Sequence, residues 1–170
     1  GNSGDVIWAT EVGGAANGRV WKVLYRSRSV RGSAIAVSGW IAVPYGTRPA
    51  GGFPVMSFAH GTTGMADQCA PTRNSSPRET IALLDRFLER GFVVGATDYE
   101  GLGTPGQHLY LVGPSEARSV LDAARAARNF GGGSSDVVLF GHSQGGHAVI
   151  IANEVANTYA PELNLVGTVS

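Results

Sequence analysis

The residues best suited to do chemistry form the pentapeptide Gly-His-Ser-Gln-Gly at positions 141–145. A serine between two glycines can act as a nucleophile when a sharp turn between a strand and a helix holds its Oγ in the open. The glycines are needed where a Cβ would collide with the crossing strand and helix. A chain with 25 glycines can contain this pentapeptide by chance. The flanking sequence must therefore decide between a functional turn and a chance match.

The flanks of the pentapeptide predict the two elements that such a turn needs. Residues 137–140 (Val-Val-Leu-Phe) form a short apolar run typical of a buried strand, and residues 146–156 are typical of a helix. The N-terminus of that helix would direct N–H groups and the positive end of its dipole at an oxyanion. We therefore predict a nucleophile elbow in which Ser143 is the nucleophile.

A second loop of small residues can complete an oxyanion hole. The sequence His-Gly-Thr-Thr-Gly at positions 60–64 follows a strand predicted at 53–59. Such a loop can turn backbone N–H groups toward the nucleophile, while the N–H of Gln144, the residue after the serine, supplies the other donor. Thr62 N–H is the leading candidate in the loop, and the Thr63 backbone or hydroxyl is its rival. An ordinary glycine turn is the alternative.

The sequence does not supply a complete catalytic triad. In hydrolases with this elbow the chain order is serine, then Asp or Glu, then histidine. Only Glu154 and Glu162 follow Ser143 as acids, and only His147 follows it as a histidine. His147 lies one turn along the same predicted helix, so its side chain should stay near that helix. The remaining histidines precede the serine: His60, His108 and His142.

Two further carboxylates, Asp98 and Glu100, follow a strand predicted at 92–97. They could form an acid–base pair or bind a metal ion, but no cluster of His, Cys and Asp has metal-ligand spacing. We expect Asp98 to accept hydrogen bonds from nearby backbone N–H groups in a turn. We expect neither a metal nor another cofactor.

Composition narrows the classes of partner. The 13 basic and 13 acidic residues give a net charge of zero without a basic stripe, which argues against nucleic acid or an anionic membrane surface as partners. No apolar run approaches the roughly eighteen residues that a transmembrane segment needs. The single Cys69 cannot form an internal disulfide, and taken alone it is interpreted as an apolar filler.

The order of predicted elements is that of an α/β protein. Antiparallel strands come first, and strands then alternate with helices, which predicts a mainly parallel central sheet with active groups at the carboxyl ends of its strands. We predict a loosely ordered segment at 1–18 and part of a single domain at 19–170. Strands are predicted at 20–28, 34–43, 53–59, 92–97, 137–140 and 163–169, and helices at 78–90, 115–130 and 146–156.

Five motifs together resemble the secretory lipase (Candida antarctica lipase A-like) family of α/β-hydrolases. The resemblance covers nearly the whole chain from about Ala42. Its most specific motif is Tyr-Ala-Pro-Glu-Leu-Asn-Leu-Val-Gly, because other α/β-hydrolases have no reason to carry it after the elbow helix. The motifs lie at 60–64, 68–71, 98–103, 141–146 and 159–167.

The resemblance implies an α/β-hydrolase fold in which residues 19–170 form the N-terminal portion. It also implies a secreted serine esterase or lipase in which a lid, the acid and the histidine come later in the sequence. Carried over by motif, Ser143 is the nucleophile, Gln144 N–H is one oxyanion donor, and Thr62 or Thr63 supplies the other. Cys69 matches a cysteine that pairs with one in the lid, which implies a disulfide to another segment.

The sequence thus predicts a carboxylic-ester hydrolase that works through an acyl-enzyme on Ser143 and acts on lipid or other apolar acyl esters. Aryl or feruloyl esterase, acyltransferase and peptidase chemistry on the same fold remain open. A non-catalytic fragment or binding module that keeps the elbow as architecture is a further alternative. Because the chain stops at Ser170, we expect a second polypeptide that carries the lid, the acid and the histidine.

Overall fold

Seven strands form one sheet, and helices cover both of its faces, in a computed structural model that describes Gly1–Ser170. The strands are β1 (Val6–Glu11), β2 (Gly18–Arg28), β3 (Ala34–Pro44), β4 (Phe53–Ala59), β5 (Val93–Thr97), β6 (Gly133–Gly141) and β7 (Asn164–Val169). The helices are α1 (Pro71–Asn74), α2 (Pro77–Thr80), α3 (Leu84–Glu89), α4 (Gly113–Gly131) and α5 (Gln144–Tyr159), with a 3₁₀ turn at Asp67–Cys69.

The sheet has the order β1-β2-β3-β5-β4-β6-β7. The pairs β1–β2, β2–β3 and β3–β5 are antiparallel, whereas β5–β4, β4–β6 and β6–β7 are parallel. The α/β prediction with a parallel central sheet is therefore confirmed, and the antiparallel pairing is confined to one side. Ala59 pairs with Thr97 on one side and with Gly141 on the other. Because these three strands end at the same level, the segments that follow them meet at one edge of the sheet.

Consecutive residues of the central strands face two different cores, since side chains alternate along a strand. Val55 and Val93 pack against α4 and α5, whereas their neighbours Met56 and Val94 pack against α3. Helix α4 approaches the sheet closely because most residues on its buried face are small (alanine, serine and glycine). A Cβ at Gly95 would lie 2.5 Å from the carbonyl oxygen of Ala123, so only glycine fits beneath this helix.

Two local predictions were wrong. The segment 1–18 is not a loosely ordered entry, because it contains β1, which pairs antiparallel with β2. The helix predicted at 78–90 is divided into α2 and α3, because Leu83 between them adopts a left-handed conformation with φ of 60°. The apolar positions that suggested one helix are still buried: Ile81, Leu84 and Leu88.

The other predicted elements are present, with ends that differ by a few residues. Helix α4 ends at the glycine triplet, where Gly132 has a φ of 73°. None of the helices combines the length and the apolar character that crossing a bilayer requires.

Candidate active site

Ser143 lies on a two-residue turn between the end of β6 and the start of α5. Its φ of 55° and ψ of −116° form a conformation that a non-glycine residue adopts only under strain. A Cβ at Gly141 would lie 2.0 Å from the carbonyl oxygen of Gly145, and one at Gly145 would lie 1.9 Å from that of Ala59. The two glycines therefore allow strand and helix to cross at a distance that leaves Ser143 exposed to solvent.

The loop at residues 60–64 faces this turn, since β4 and β6 are paired neighbours. A Cβ at Gly61 would lie 3.0 Å from the Nδ1 of His142 and 3.5 Å from the Cβ of Ser143. Thr62 and Thr63 are exposed, and their backbone N–H groups donate to no acceptor within the chain. Gln144 is the first residue of α5, so its N–H has no partner in the helix either.

A cavity of about 410 Å³ opens between this loop, Ser143 and the α1–α2 region. Its wall carries hydroxyl groups and one carboxylate, that of Glu79. Hydrogen bonds from the Ser76 backbone and hydroxyl hold the pKa of Glu79 below its usual range, so this wall is anionic at neutral pH. Ser143 lines this cavity, and its side chain is open to solvent.

None of the four histidines hydrogen-bonds the Ser143 hydroxyl. Nδ1 of His60 lies 2.6 Å from the Gly61 carbonyl oxygen, and burial lowers the pKa of this imidazole. His147 is engaged with a carboxylate of α4, and His108 is buried in the same polar cluster. His142 is exposed and faces Gly61.

Glu116, which lies in the first turn of α4, organises this polar cluster. Its carboxylate is almost fully buried, with 1% of the side chain exposed. It accepts hydrogen bonds from the Leu111 backbone N–H at 2.9 Å, from Gln144 Nε2 at 2.7 Å and from His147 Nδ1 at 2.8 Å. The signal in the sequence was a carboxylate placed among small residues on the buried face of α4.

His108 takes part through a defined tautomer. Its Nδ1 lies 3.1 Å from the carbonyl oxygen of Glu100, which can only accept, so Nδ1 carries the proton. Its Nε2 then accepts from Gln144 Nε2 at 3.2 Å. The side-chain amide of Gln144 thus donates to both His108 and Glu116.

Tyr99 and Tyr110 connect the loop at 60–64 to this cluster. The buried Tyr99 hydroxyl donates to the His60 carbonyl oxygen at 2.7 Å. The Tyr110 hydroxyl lies 3.1 Å from the Thr62 Oγ1. Both tyrosines belong to residues 98–112, which connect β5 to α4; we call this segment the connector.

Asp98 has a structural role that differs from the predicted turn. Its carboxylate accepts from the Ser38 hydroxyl at 2.6 Å and from the Thr72 backbone N–H at 3.2 Å, and the Thr72 hydroxyl also donates to it. Burial raises the pKa of this carboxyl. The prediction that backbone N–H groups of the same turn bond Asp98 was wrong. Its donors are Ser38 in β3 and Thr72 in α1, both far from it in the sequence.

Cys69 is a free thiol at the end of the 3₁₀ turn. A Cβ at Gly64 would lie 2.5 Å from its Sγ, so the thiol packs directly against the end of the loop at 60–64. No group of three or more His, Cys, Asp or Glu side chains is arranged to hold a metal ion.

The sequence of this chain is similar to those of a known protein family. The model of the secretory lipase family matches residues 72–170. The chain belongs to the secretory lipase family. Lipase A of Moesziomyces aphidis is 30% identical over 171 residues, which cover 93% of this chain and 36% of that protein. A curated relative from Mycobacterium tuberculosis, 27% identical over 87% of this chain and 35% of its own length, is named a probable inactive lipase.

Solved structures place this secretory lipase sequence in the α/β-hydrolase fold. Candida antarctica lipase A in its closed state aligns with a TM-score of 0.81 and 26% identity, covering 98% of this chain and 41% of that one. The rice cell wall degrading esterase LipA from Xanthomonas oryzae aligns with a TM-score of 0.81 and 27% identity, covering 99% and 50%. The chain thus spans about a third of the length of these curated relatives and up to half of these solved chains.

Proposed function

We propose that this secretory lipase family member is the nucleophile-bearing part of a carboxylic-ester hydrolase. The observation that carries the proposal is the strained, exposed Ser143 facing a loop whose N–H groups are free of acceptors. A strained residue at an exposed position is the geometry expected of a nucleophile rather than of a structural serine.

In the proposed reaction the Ser143 Oγ attacks the ester carbonyl carbon while a histidine Nε2 takes its proton. The C–O bond to the alcohol then breaks, the histidine returns the proton to the leaving alcohol, and an acyl-enzyme remains on Ser143. Water attacks the acyl-enzyme with the same histidine as base, and the carboxylic acid leaves. The oxyanion of each tetrahedral intermediate lies between the N–H of Gln144 and that of Thr62, with Thr63 as the alternative donor.

The histidine and its acid come from polypeptide outside residues 1–170 in this proposal. The four histidines of the chain are bound elsewhere or lack contact with the Ser143 hydroxyl, and the relatives are about three times as long. A second polypeptide or segment would supply the lid, the acid and the histidine. Cys69 lies beside the loop at 60–64 and would form a disulfide with that segment in an oxidising, extracellular setting.

The proposed substrates are lipid or other apolar acyl esters, and the proposed location is extracellular. Support comes from the family name and from the relatives, which are named lipases and secreted lipases. The alternative is a non-catalytic member that keeps the elbow as architecture. The relative named a probable inactive lipase supports this alternative.

Labelling of the complete protein with a fluorophosphonate probe tests the proposal. We expect one covalent adduct on Ser143, no adduct in Ser143→Ala, and a loss of several orders of magnitude in kcat for that variant. Denaturing mass spectrometry of the labelled sample, without and with reductant, reports the second polypeptide and the Cys69 disulfide. An unlabelled Ser143 in a preparation without esterase activity would instead establish the non-catalytic alternative.

A further inference from the structure

The carboxylate of Glu116 is connected to both halves of the proposed oxyanion hole. It lies in the first turn of α4, and water reaches only 1% of its side chain. Burying a carboxylate costs several kcal/mol unless donors replace its hydration. The three donors that replace it here belong to α5 and to the connector, which are the two segments next to the proposed donors Gln144 and Thr62.

The connection to the first half is direct. Gln144 donates from Nε2 to Glu116 at 2.7 Å and to His108 at 3.2 Å, so both hydrogens of its amide are used. One turn later, His147 bonds the other oxygen of the same carboxylate at 2.8 Å. These contacts hold the first turn of α5, and with it the backbone N–H of Gln144.

The connection to the second half passes through the connector. Leu111 has a φ of 56°, an unfavourable conformation for a leucine, and its backbone N–H donates to Glu116 at 2.9 Å. The preceding residue, Tyr110, brings its hydroxyl within 3.1 Å of the Thr62 Oγ1. The bond from Leu111 to Glu116 therefore anchors the backbone next to Tyr110, whose hydroxyl contacts the loop at 60–64.

We propose that Glu116 and Tyr110 are positioning residues that hold the Gln144 and Thr62 N–H groups at the separation an oxyanion requires. The proposal rests on the proposed esterase function and adds to it the means of preorganisation. Neither side chain touches the reacting carbonyl. Donors fixed before the reaction stabilise the transition state without reorganisation, whereas the substrate in its ground state does not need them.

Tyr110→Phe provides the first test, because it removes one hydroxyl from an exposed position. We expect a kcat lower by about three- to tenfold with an unchanged KM. Binding of a trifluoromethyl ketone, whose oxyanion occupies the hole, should weaken by the same factor. Thr62→Val should give a similar loss, and the double variant should lose no more than either single variant, because both remove the same hydrogen bond. The matched control is Tyr45→Phe at the opposite edge of the sheet, where no change is expected.

Glu116 provides the second test. Glu116→Ala leaves three donors without an acceptor, and we expect kcat to fall on the order of 10- to 100-fold, still less than deleting a donor outright. Glu116→Gln should retain most of the kcat that Glu116→Ala loses. Its amide oxygen can accept from Leu111 and Gln144, and its amide nitrogen can donate to His147 after a change of tautomer. Thermal unfolding of each variant gives the folded fraction by which kcat is corrected.

Several outcomes would overturn the positioning proposal. The first is a Tyr110→Phe variant with unchanged kcat and unchanged ketone binding. The second is a double-mutant cycle of Tyr110 and Thr62 in which the two losses add. The third is a Glu116→Ala variant that loses only thermal stability. Failure of the esterase proposal is recognised separately, by a wild-type protein that neither hydrolyses esters nor reacts with fluorophosphonate. In that case, amide hydrogen exchange at Thr62 and Gln144 still decides: faster exchange in Tyr110→Phe and Glu116→Ala supports positioning, and unchanged exchange refutes it.

Discussion

Helix α4 carries two buried carboxylates, and each bonds one end of α5. Glu116 bonds the first turn of α5 and Asp122 bonds its last turn, and the two groups of donors differ in chemistry. Asp122 accepts from the Ser27 hydroxyl at 2.7 Å, the Tyr159 hydroxyl at 2.7 Å and Arg125 Nη1 at 2.8 Å. Arg125 also forms an ion pair with Glu162, whose Oε1 lies 2.6 Å from its Nε. We call this group, which joins β2, α4 and the last turn of α5, the brace end, and the cluster around Glu116 the active-site end.

The two buried carboxylates differ in the groups that donate to them. At the brace end the neighbour is a permanently charged guanidinium, yet burial still raises the pKa of Asp122, so desolvation outweighs the attraction. A polar cavity of about 490 Å³ lies beside it, and Arg125, Tyr159 and Glu162 belong to its wall. At the active-site end the donors are an amide, an imidazole and a strained backbone N–H. The first arrangement stabilises the fold, and the second positions groups around Ser143.

The largest effect is expected from Gly145→Ala at the active-site end. Its Cβ would lie 1.9 Å from the Ala59 carbonyl oxygen, which belongs to a central strand and cannot move aside. We expect the free energy of unfolding to fall by more than about 3 kcal/mol and Ser143 to lose reactivity toward fluorophosphonate. Urea unfolding measures the loss. The matched control is Gly146→Ala, whose Cβ would meet nothing closer than 3.7 Å and which should be stabilised by about 0.5–1 kcal/mol.

A smaller effect, on stability alone, is expected at the brace end. Asp122→Ala should lower the free energy of unfolding by about 2–3 kcal/mol, less than a fully broken buried ion pair, because Arg125 keeps Glu162 as a partner. The kcat of the folded enzyme should not change. Asp122→Asn should lose less, since its amide can satisfy the same three groups. A drop in kcat for Asp122→Ala, measured well below its unfolding temperature, would contradict the separation of the two ends.

The smallest effect is a pH dependence from His60, the first residue of the loop at 60–64. Burial lowers the pKa of this imidazole in the folded state, so protons bind the unfolded chain more readily. Stability from this source is complete above the ordinary histidine pKa of about 6.5 and is lost as the pH falls through the lower folded value. His60→Gln should make the decline of the unfolding free energy below about pH 6.5 less steep. The raised pKa of the buried Asp98 carboxyl makes its contribution to stability grow as the pH falls, so Asp98 does not cause the decline. An equally steep decline in His60→Gln would refute the assignment to His60.

The sequence alone determined the α/β order of elements, the elbow around Ser143 and the resemblance to secretory lipases. These depend on local features: alternating apolar residues, glycine spacing and contiguous motifs. It also indicated the loop at 60–64, because small residues directly after a strand are visible in a local window. The break at Leu83 was not visible, because one left-handed residue interrupts a helix without changing its apolar spacing.

The partners of Glu116, Asp98 and Tyr110 are set by the folded arrangement of the chain and not by any local pattern. Their partners lie 5 to 31 residues away for Glu116, up to 60 for Asp98 and 48 for Tyr110. No local pattern specifies such pairs, since the donor for a buried carboxylate depends on which segments the sheet order brings together. The register of β4, β5 and β6 brings the loop, the connector and the elbow to one edge of the sheet. Backbone pairing across the whole chain thus turns separate motifs into one site.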